Sequence, residues 1–280
     1  MDCDLKIWDT NSLRPVEVFH LAHKVINHHM SNISTQHTLI AVGSKQPQII
    51  LLDPKSGSQT HELRGHSRSV TCVKWSPSSE YLLASGSEDS KIFFWDIRSA
   101  KGFLRALDQH NGERGSNQAS ITAHSGIVCS LQFTSDSLHL VSYGTDSQLR
   151  LWDVALCVNT LVNFGRVHNS SKVRQRIIDL CCDSNPQLVF VPSANNVQIF
   201  DLLTGCRVKK LFGHFSDVHC CAFRSGAQQL YSAGNDMNIL FWTPDVAQEI
   251  EEEECMPKGS KRNIHEHSPH SDRWSSDEDN

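Results

Sequence analysis

Serine, histidine and aspartate recur at fixed spacing in this sequence of 280 residues, and a tryptophan follows each group. The serine precedes the aspartate by four residues, and the aspartate precedes the tryptophan by six. The three groups are His66, Ser85, Asp89 and Trp95; His124, Ser142, Asp146 and Trp152; and His214, Ser232, Asp236 and Trp242. Serine, histidine and aspartate can catalyse acyl transfer when the serine lies on a nucleophile elbow beside an oxyanion loop.

The recurrence of these groups favours a structural role over catalysis. Neither an elbow nor an oxyanion loop accompanies them, and the tryptophan is always the fourth member. We predict a chain of hydrogen bonds from tryptophan through serine and histidine to aspartate, in which each buried polar group satisfies the next. The sequence therefore predicts that these residues are not catalytic and that the protein is not an enzyme.

Each group lies within a longer repeat of short alternating strands separated by Gly, Ser, Asn and Asp, which indicates antiparallel sheet throughout. Trp8 and Trp95 are 87 residues apart, and Trp152 and Trp242 are 90 apart, so each interval holds two units. The intervening units close at Asp53 and Asp201. We predict a repeat region over residues 1–247, with a partial unit at 1–21 and units closing near 53, 96, 153, 201 and 243.

Composition narrows the function classes. The chain is 39% hydrophobic but lacks a run of about 18 apolar residues, so we expect no membrane partner. Ten cysteines without a C-x-x-C pair are typical of reduced thiols in an intracellular protein. We expect no metal site and no cofactor, and we interpret the histidine-rich run at 265–270 as incidental. The net charge is −5, and residues outside the acidic segment 249–280 carry about +1, which argues against direct nucleic-acid binding.

The segment 248–280 is predicted to be a disordered acidic tail, because it is charged and poor in apolar residues. Ser275 and Ser276 each precede an acidic residue by three positions, a pattern that acidophilic kinases favour. Phosphorylation there would add negative charge beside Trp274 and tune the docking of a partner. The alternative is an inert solubilising tail.

The repeat signature resembles that of the WD-repeat family over residues 2–243. The resemblance implies an all-β fold, a β-propeller of four-stranded blades around a channel. The chain opens with the strand Leu5–Trp8, which resembles the end of a repeat. We therefore expect an N-terminally shortened chain that forms an incomplete open arc of a seven-bladed propeller and exposes apolar faces, so that it is poorly soluble alone. The alternative is a five-bladed ring in which residues 15–21 complete the last blade.

Strings between the repeats resemble one group of WD-repeat proteins, the Cockayne syndrome group A family. They are HHMS at 28–31, LDQHNG at 107–112, FTSDSLHL at 133–140, NTLVNFG at 159–165 and WSSDED at 274–279. The resemblance implies a nuclear substrate-recognition subunit of a cullin–RING E3 ubiquitin ligase in transcription-coupled nucleotide excision repair. The implied partners are the ligase and its damage-binding adaptor, RNA polymerase II and the Cockayne syndrome group B protein. The alternative is a WD-repeat scaffold that acts without a ligase.

One tetrapeptide bears on the adaptor. Trp95, Asp96 and Arg98 match the W-D-x-R pattern that the resemblance associates with adaptor docking. An arginine just past a blade strand can reach a carbonyl or carboxylate of a partner at the rim. The alternative is that Arg98 only caps a turn in solvent.

Overall fold

Alternation of apolar and polar residues, interrupted by turn residues, folds the chain into antiparallel strands. The structure, a computed structural model, describes residues 3–33, 38–99, 102–112, 121–169, 177–181 and 186–244. In these ranges the only helix is a single 3-10 turn at Ser225–Ala227, and nothing helical is long enough to cross a bilayer. The predicted tail at 248–280, with Ser275, Ser276 and the histidine-rich run, lies outside the described residues.

The strands form six sheets in chain order. Sheet 1 contains β1 (Asp4–Asp9) and β2 (Arg14–His20). Sheet 2 contains β3 (Val25–Met30), β4 (Ile40–Ser44), β5 (Gln48–Asp53) and β6 (Ser58–Arg64). Sheet 3 contains β7 (Val70–Trp75), β8 (Leu82–Ser87), β9 (Ile92–Asp96) and β10 (Phe103–Ala106). Sheet 4 contains β11 (Val128–Phe133), β12 (His139–Gly144), β13 (Leu149–Asp153) and β14 (Val158–Asn159). Sheet 5 contains β15 (Asp179–Cys181), β16 (Leu188–Ser193), β17 (Asn196–Asp201) and β18 (Arg207–Phe212). Sheet 6 contains β19 (Val218–Arg224), β20 (Gln229–Gly234) and β21 (Ile239–Trp242).

Consecutive sheets pack face to face, as propeller blades do, and each of the five interfaces has its own apolar core. Between sheets 3 and 4, for example, Phe94 packs with Val128 and Trp152. Burial of these side chains supplies the main stabilisation of the fold. Residues 1–244 form one compact unit.

The first strand of each of sheets 2 to 6 is called its innermost strand; these are β3, β7, β11, β15 and β19. At each blade interface, this strand lies close to the neighbouring sheet. A bulge follows the first residue of β3, β7, β11 and β19 at the same position in the repeat. Gly86 lies opposite the bulge of β7, and a Cβ there would meet Val128 Cγ1 at 2.6 Å and Cys72 Sγ at 2.7 Å. Only glycine lets sheets 3 and 4 pack at this distance.

In the residues that the structure describes, the first and last sheets of the row are not joined. Strand β2 pairs with β1 along its whole length, and none of the five cores joins sheet 1 to sheet 6. Residues 15–21 therefore do not complete the last blade, as the five-bladed alternative required. The expected all-β fold of WD-repeat type is confirmed.

Candidate functional site

The first Ser–His–Asp–Trp group forms one continuous hydrogen-bonded chain. Trp95 Nε1 donates to Ser85 Oγ at 2.7 Å, and His66 Nε2 lies 2.8 Å from the same oxygen. The other ring nitrogen, Nδ1 of His66, lies 3.0 Å from Asp89 Oδ2. These distances are consistent with a neutral imidazole that donates from Nδ1 to the carboxylate and accepts the serine proton at Nε2.

The other two groups repeat this geometry. The Trp Nε1–Ser Oγ distance is 2.8 Å in both the Trp152–Ser142 and the Trp242–Ser232 pair. The His Nε2–Ser Oγ distance is 2.7 Å for His124 and 2.8 Å for His214. The His Nδ1–Asp distance is 3.0 Å for the pair with Asp146 and 2.8 Å for the pair with Asp236.

Local backbone geometry puts these side chains together. The hairpin from β8 to β9 sets Ser85 opposite Phe93, so that the serine faces the neighbouring Trp95. The aspartate lies in the turn of that hairpin, and its carboxylate also accepts hydrogen bonds from the backbone N–H groups of Ser67 and Lys91. One carboxylate thereby fixes both the turn and the incoming loop that carries the histidine.

Burial and hydrogen bonding shift the pKa values of the tetrad residues in opposite directions. Burial disfavours ionisation of Asp146, but the hydrogen bond and charge of His124, with help from Arg150, hold its pKa well below the ordinary range. Burial lowers the pKa of His124, although its carboxylate partner acts in the opposite direction. Arg150 Nη1 lies 2.9 Å from Asp146 Oδ2, a contact that the sequence pattern did not predict.

The geometry does not suit nucleophilic catalysis. Ser85 and Ser142 are fully buried and Ser232 is 1% exposed, so a substrate carbonyl cannot reach the hydroxyl oxygen. The tryptophan N–H also occupies the acceptor side of each serine. What the arrangement can do is fasten the loop before each sheet to the hairpin within it.

Two sheets replace the polar group with apolar side chains. In sheet 2, Val42 and Leu52 occupy the register positions that Ser85 and Trp95 hold in sheet 3. In sheet 5, Val191 and Phe200 do the same. All four are at most 2% exposed, so packing takes the place of the hydrogen bonds.

The W-D-x-R arginine lies at the end of β9 and is held by its own repeat. Asp96 accepts from Arg98 Nε at 2.9 Å and from Nη2 at 2.6 Å, and the guanidinium lies 4.4 Å above the Tyr81 ring. The Arg98 side chain is 64% exposed. The hydrogen bonds to Arg98 lower the pKa of Asp96. This bidentate pair holds an exposed guanidinium in one orientation at the rim, which is compatible with both docking and simple turn capping.

A cavity of about 360 Å³ lies beside this arginine, lined by residues of sheets 2 and 3 that include Leu39, His61, Tyr81 and Ile97. Its wall also contains the carboxylates of Asp53 and Glu80. The sequence pattern gave no indication of this groove, because it forms between two repeats.

Two of the strings that distinguish this chain from other WD repeats contact each other. Asn111, in LDQHNG, exchanges hydrogen bonds with the backbone of Asn159, in NTLVNFG, at 2.7 and 2.8 Å. Asn159 Nδ2 donates in turn to the carbonyl of Gln109 at 3.0 Å. These asparagines join the segment after β10 to strand β14, which explains why both strings depart from the general repeat pattern.

A second set of polar side chains, which no motif in the sequence predicted, accepts hydrogen bonds from the backbone of the next sheet. The innermost strands have free backbone N–H groups, and side chains of the preceding sheet accept from them. Asn27 Oδ1 accepts from Val73 N at 3.2 Å, and His29 Nδ1 accepts from Trp75 N at 3.1 Å. Asp179 Oδ2 accepts from Phe223 N at 2.7 Å. The only signal in the sequence is a polar residue in an otherwise apolar strand.

Metal binding finds no support in the part of the chain that the structure describes, where no three His, Cys, Asp or Glu residues are grouped suitably. The three tetrad histidines have both ring nitrogens engaged in hydrogen bonds.

Comparison with known proteins identifies similar chains. The family model described as WD domain, G-beta repeat matches residues 57–96, 115–153 and 205–243, each of which ends just after a tetrad tryptophan. WD repeat-containing protein ATCSA-1 of Arabidopsis thaliana is 34% identical over 307 aligned residues, which cover 86% of this chain and 67% of that protein. Periodic tryptophan protein 2 of the same organism is 26% identical over 201 aligned residues, which cover 20% of that protein.

Among solved structures, a chain in the crystal structure of the Mitotic Checkpoint Complex superimposes with a TM-score of 0.70. The two sequences are 20% identical, and the match covers 86% of this chain and 68% of the other. At this identity the likeness concerns the fold alone.

Proposed function

The chain belongs to the WD-repeat family, and on that premise we propose that it is a substrate-recognition subunit of a cullin–RING E3 ubiquitin ligase. The process we propose for it is transcription-coupled nucleotide excision repair in the nucleus. It would act without catalytic residues of its own, by holding a ligase adaptor on one surface and a substrate on another.

The observation that carries this proposal is the similarity to ATCSA-1 over most of the chain. The name of that relative agrees with the Cockayne syndrome group A resemblance of the strings HHMS, LDQHNG, FTSDSLHL and NTLVNFG. This chain spans about two thirds of the length of ATCSA-1, so the partners of a whole protein of this kind enter here as part of the proposal. They are the damage-binding adaptor, RNA polymerase II and the Cockayne syndrome group B protein.

The fold supports a docking role because it presents fixed surfaces. Each sheet is fastened to the next by an apolar core, and three sheets carry a buried hydrogen-bonded group. A rigid framework lowers the entropic cost of binding at its rim.

The adaptor contact that we propose is Arg98 together with Trp95 and Asp96. Trp95 is buried and fixes the end of β9, and Asp96 orients the guanidinium. Since Asp96 engages Nε and Nη2 of a side chain that is 64% exposed, the Nη1 group is the one we propose to donate to a carbonyl or carboxylate of the adaptor.

A pull-down of purified damage-binding adaptor by the full chain tests this contact. We expect the chain to retain the adaptor and Arg98→Ala to retain much less. Arg64→Ala is the matched control, because Arg64 is also exposed and also pairs with a carboxylate two residues away, Glu62. Equal retention by wild type and Arg98→Ala would discredit the W-D-x-R assignment.

Ubiquitination of a bound partner in a reconstituted ligase separates the receptor from its alternative, a scaffold that joins proteins without a ligase. The receptor predicts modification that depends on this chain. Adaptor binding without any gain in modification would favour the scaffold. Imaging of the tagged chain tests the proposed nuclear location.

A further inference from the structure

A cavity of about 310 Å³ opens on the innermost strands of sheets 2, 3 and 4. Its polar wall includes Asn27, Thr71, Lys74 and Ser130, and Cys72 and Leu131 contribute apolar surface. This cavity is separate from the rim groove beside Arg98 and from the three buried tetrads.

Neighbouring backbone groups already occupy the side-chain acceptors in this wall. Asn27 Oδ1 accepts from Val73 N at 3.2 Å, and Ser130 Oγ accepts from Ile178 N at 3.3 Å. The amide N–H groups of Asn27 and the hydroxyl proton of Ser130 have no acceptor in the described chain. Thr71 differs, because its hydroxyl donates to Val128 O at 2.6 Å. The cavity therefore offers two unused neutral donors.

Lys74 adds a positive charge without a close counter-ion. No carboxylate of the described residues lies within ion-pair distance of its ammonium. Burial lowers the pKa of Lys74, while attraction to Asp179 acts in the opposite direction. The Asp179 oxygens are themselves engaged, with Gln132 Nε2 at 3.3 Å and Phe223 N at 2.7 Å. A partly buried ammonium in this position is stabilised by any anion that enters the cavity.

The rest of the wall brings no negative charge. Burial raises the pKa of Cys72 to about 12, so this group is a neutral thiol at physiological pH. The wall also contains the ring of His28, whose pKa is lowered by burial and by the charge of Lys74. An entering anion therefore meets one ammonium, two neutral donors, an imidazole ring and an apolar surface.

We propose that this cavity binds a single carboxylate group through the Lys74 ammonium, the Asn27 amide and the Ser130 hydroxyl. One cation and two neutral donors match the charge and size of a carboxylate. The field of Asp179 disfavours a second negative charge, so a phosphate dianion fits less well. The carboxylate belongs either to a small acid or to an aspartate or glutamate side chain of a bound peptide.

Calorimetric titration of the full 280-residue chain at low salt tests the proposal. The probes are acetate, its neutral isostere acetamide, and the peptide acetyl-Gly-Glu-Gly-amide. We expect saturable binding of the peptide, and no binding of acetamide. Acetate binding together with peptide binding assigns a site for free acids, whereas peptide binding alone assigns a site for acidic side chains.

Three variants locate the binding. Lys74→Met keeps the aliphatic stem without the charge and should weaken binding about tenfold to a hundredfold. Asn27→Asp keeps an oxygen acceptor for Val73 N but replaces the donors with a negative charge, so it should weaken binding at least as much. Lys209→Met, on the exposed face of β18, removes an equal charge elsewhere and should leave binding unchanged.

Thermal unfolding of each variant shows whether it is folded, and the Asn27→Asp result stands even if Lys74→Met is unstable. The absence of saturable peptide binding to the wild-type chain would overturn the proposal. So would binding that Asn27→Asp leaves unchanged, or saturable binding of the neutral acetamide.

Discussion

The tetrads of sheet 3 and sheet 6 have the same hydrogen bonds in different surroundings. In both, the tryptophan N–H donates to the serine at 2.7–2.8 Å. Trp95 is fully buried, whereas Trp242 is partly exposed. Other apolar side chains of this part of the chain are more exposed still, since Phe215 in the incoming loop is 89% and Ile239 of β21 is 75% accessible.

The source of this difference is the packing around each hairpin. In sheet 3, Phe103 of β10 stacks on Phe93 with ring centroids 4.1 Å apart and meets Trp95 edge-on at 6.0 Å. Sheet 6 has three strands in the described chain, and no further sheet packs on its outer face there. The comparison shows that one hairpin and its incoming loop determine the hydrogen bonds of a tetrad. The burial of its tryptophan is determined by the strands and sheets that pack around it.

Removal of the tryptophan ring should produce the largest difference between the two sheets. Trp95→Ala is expected to cost about 3–5 kcal/mol of unfolding free energy, because it leaves a cavity in a closed core. Trp242→Ala is expected to cost about 1–2 kcal/mol, because part of that ring is already in water. Denaturant unfolding monitored by circular dichroism measures both, and equal losses would break the comparison.

Removal of the serine hydroxyl should lower the unfolding free energy by less than removal of the tryptophan ring, and again by more in sheet 3 than in sheet 6. Ser85→Ala leaves the buried His66 Nε2 and Trp95 Nε1 groups without a partner, at a cost of about 1–3 kcal/mol. Ser232→Ala should cost less, about 1 kcal/mol, since His214 is buried but the second partner of the serine, Trp242, is partly exposed. Chemical denaturation provides the values. A hydrolytic activity that Ser85→Ala abolishes without loss of stability would instead revive the catalytic interpretation.

Acid should weaken a buried tetrad through both of its titrating groups. The pKa of Asp146 is lower in the folded chain, so its contribution is complete above the unfolded pKa and is lost as pH falls through the folded one. Burial lowers the pKa of His124, so the unfolded chain takes up its proton first and stability falls as pH drops below about 6.5. We expect Asp146→Asn to be less stable than wild type at pH 7 and the gap to close in acid. A gap that is constant with pH would contradict this, and midpoints of urea unfolding at several pH values measure it.

The smallest effect is expected on the exposed turn of sheet 6. Met237 has a φ of 60° and is 96% exposed, and Ser90 and Ser147 occupy similar left-handed positions. Asparagine tolerates this conformation, so Met237→Asn should stabilise the chain by at most about 0.5 kcal/mol and reduce aggregation. Asn238→Ala, at an ordinary φ, is the control. Light scattering on heating reports the aggregation, and a destabilising result would show that Met237 makes a contact with a role in folding.

Much of the fold could be predicted because the repeat is a local pattern. Strands β5, β9, β13 and β17 end at Asp53, Asp96, Asp153 and Asp201, where the spacing of the repeats places the unit ends. The expectation that the chain is poorly soluble, and the seven-bladed count, stay predictions.

The candidate sites were only partly predictable. The tetrads could be predicted because their residues recur at fixed spacing. The hydrogen bonds that Asn27 and His29 accept from the backbone of β7 join strands of different sheets, and no fixed sequence spacing marks them. Arg150 is a further example, since it reaches Asp146 across the turn and also contacts Gln109 at 3.0 Å. Contacts of this kind depend on how two repeats are placed against each other.

The sequence by itself determined the strands, the hairpins and the membership of each tetrad, because these depend on residue type and on separations of four to about twenty residues. The tertiary structure alone decided how deeply each tetrad tryptophan is buried, how Arg98 is oriented, and where a cavity with unused donors opens on the innermost strands. The physical reason is that hairpin register is a property of one segment, whereas burial and the convergence of side chains are properties of several sheets packed together.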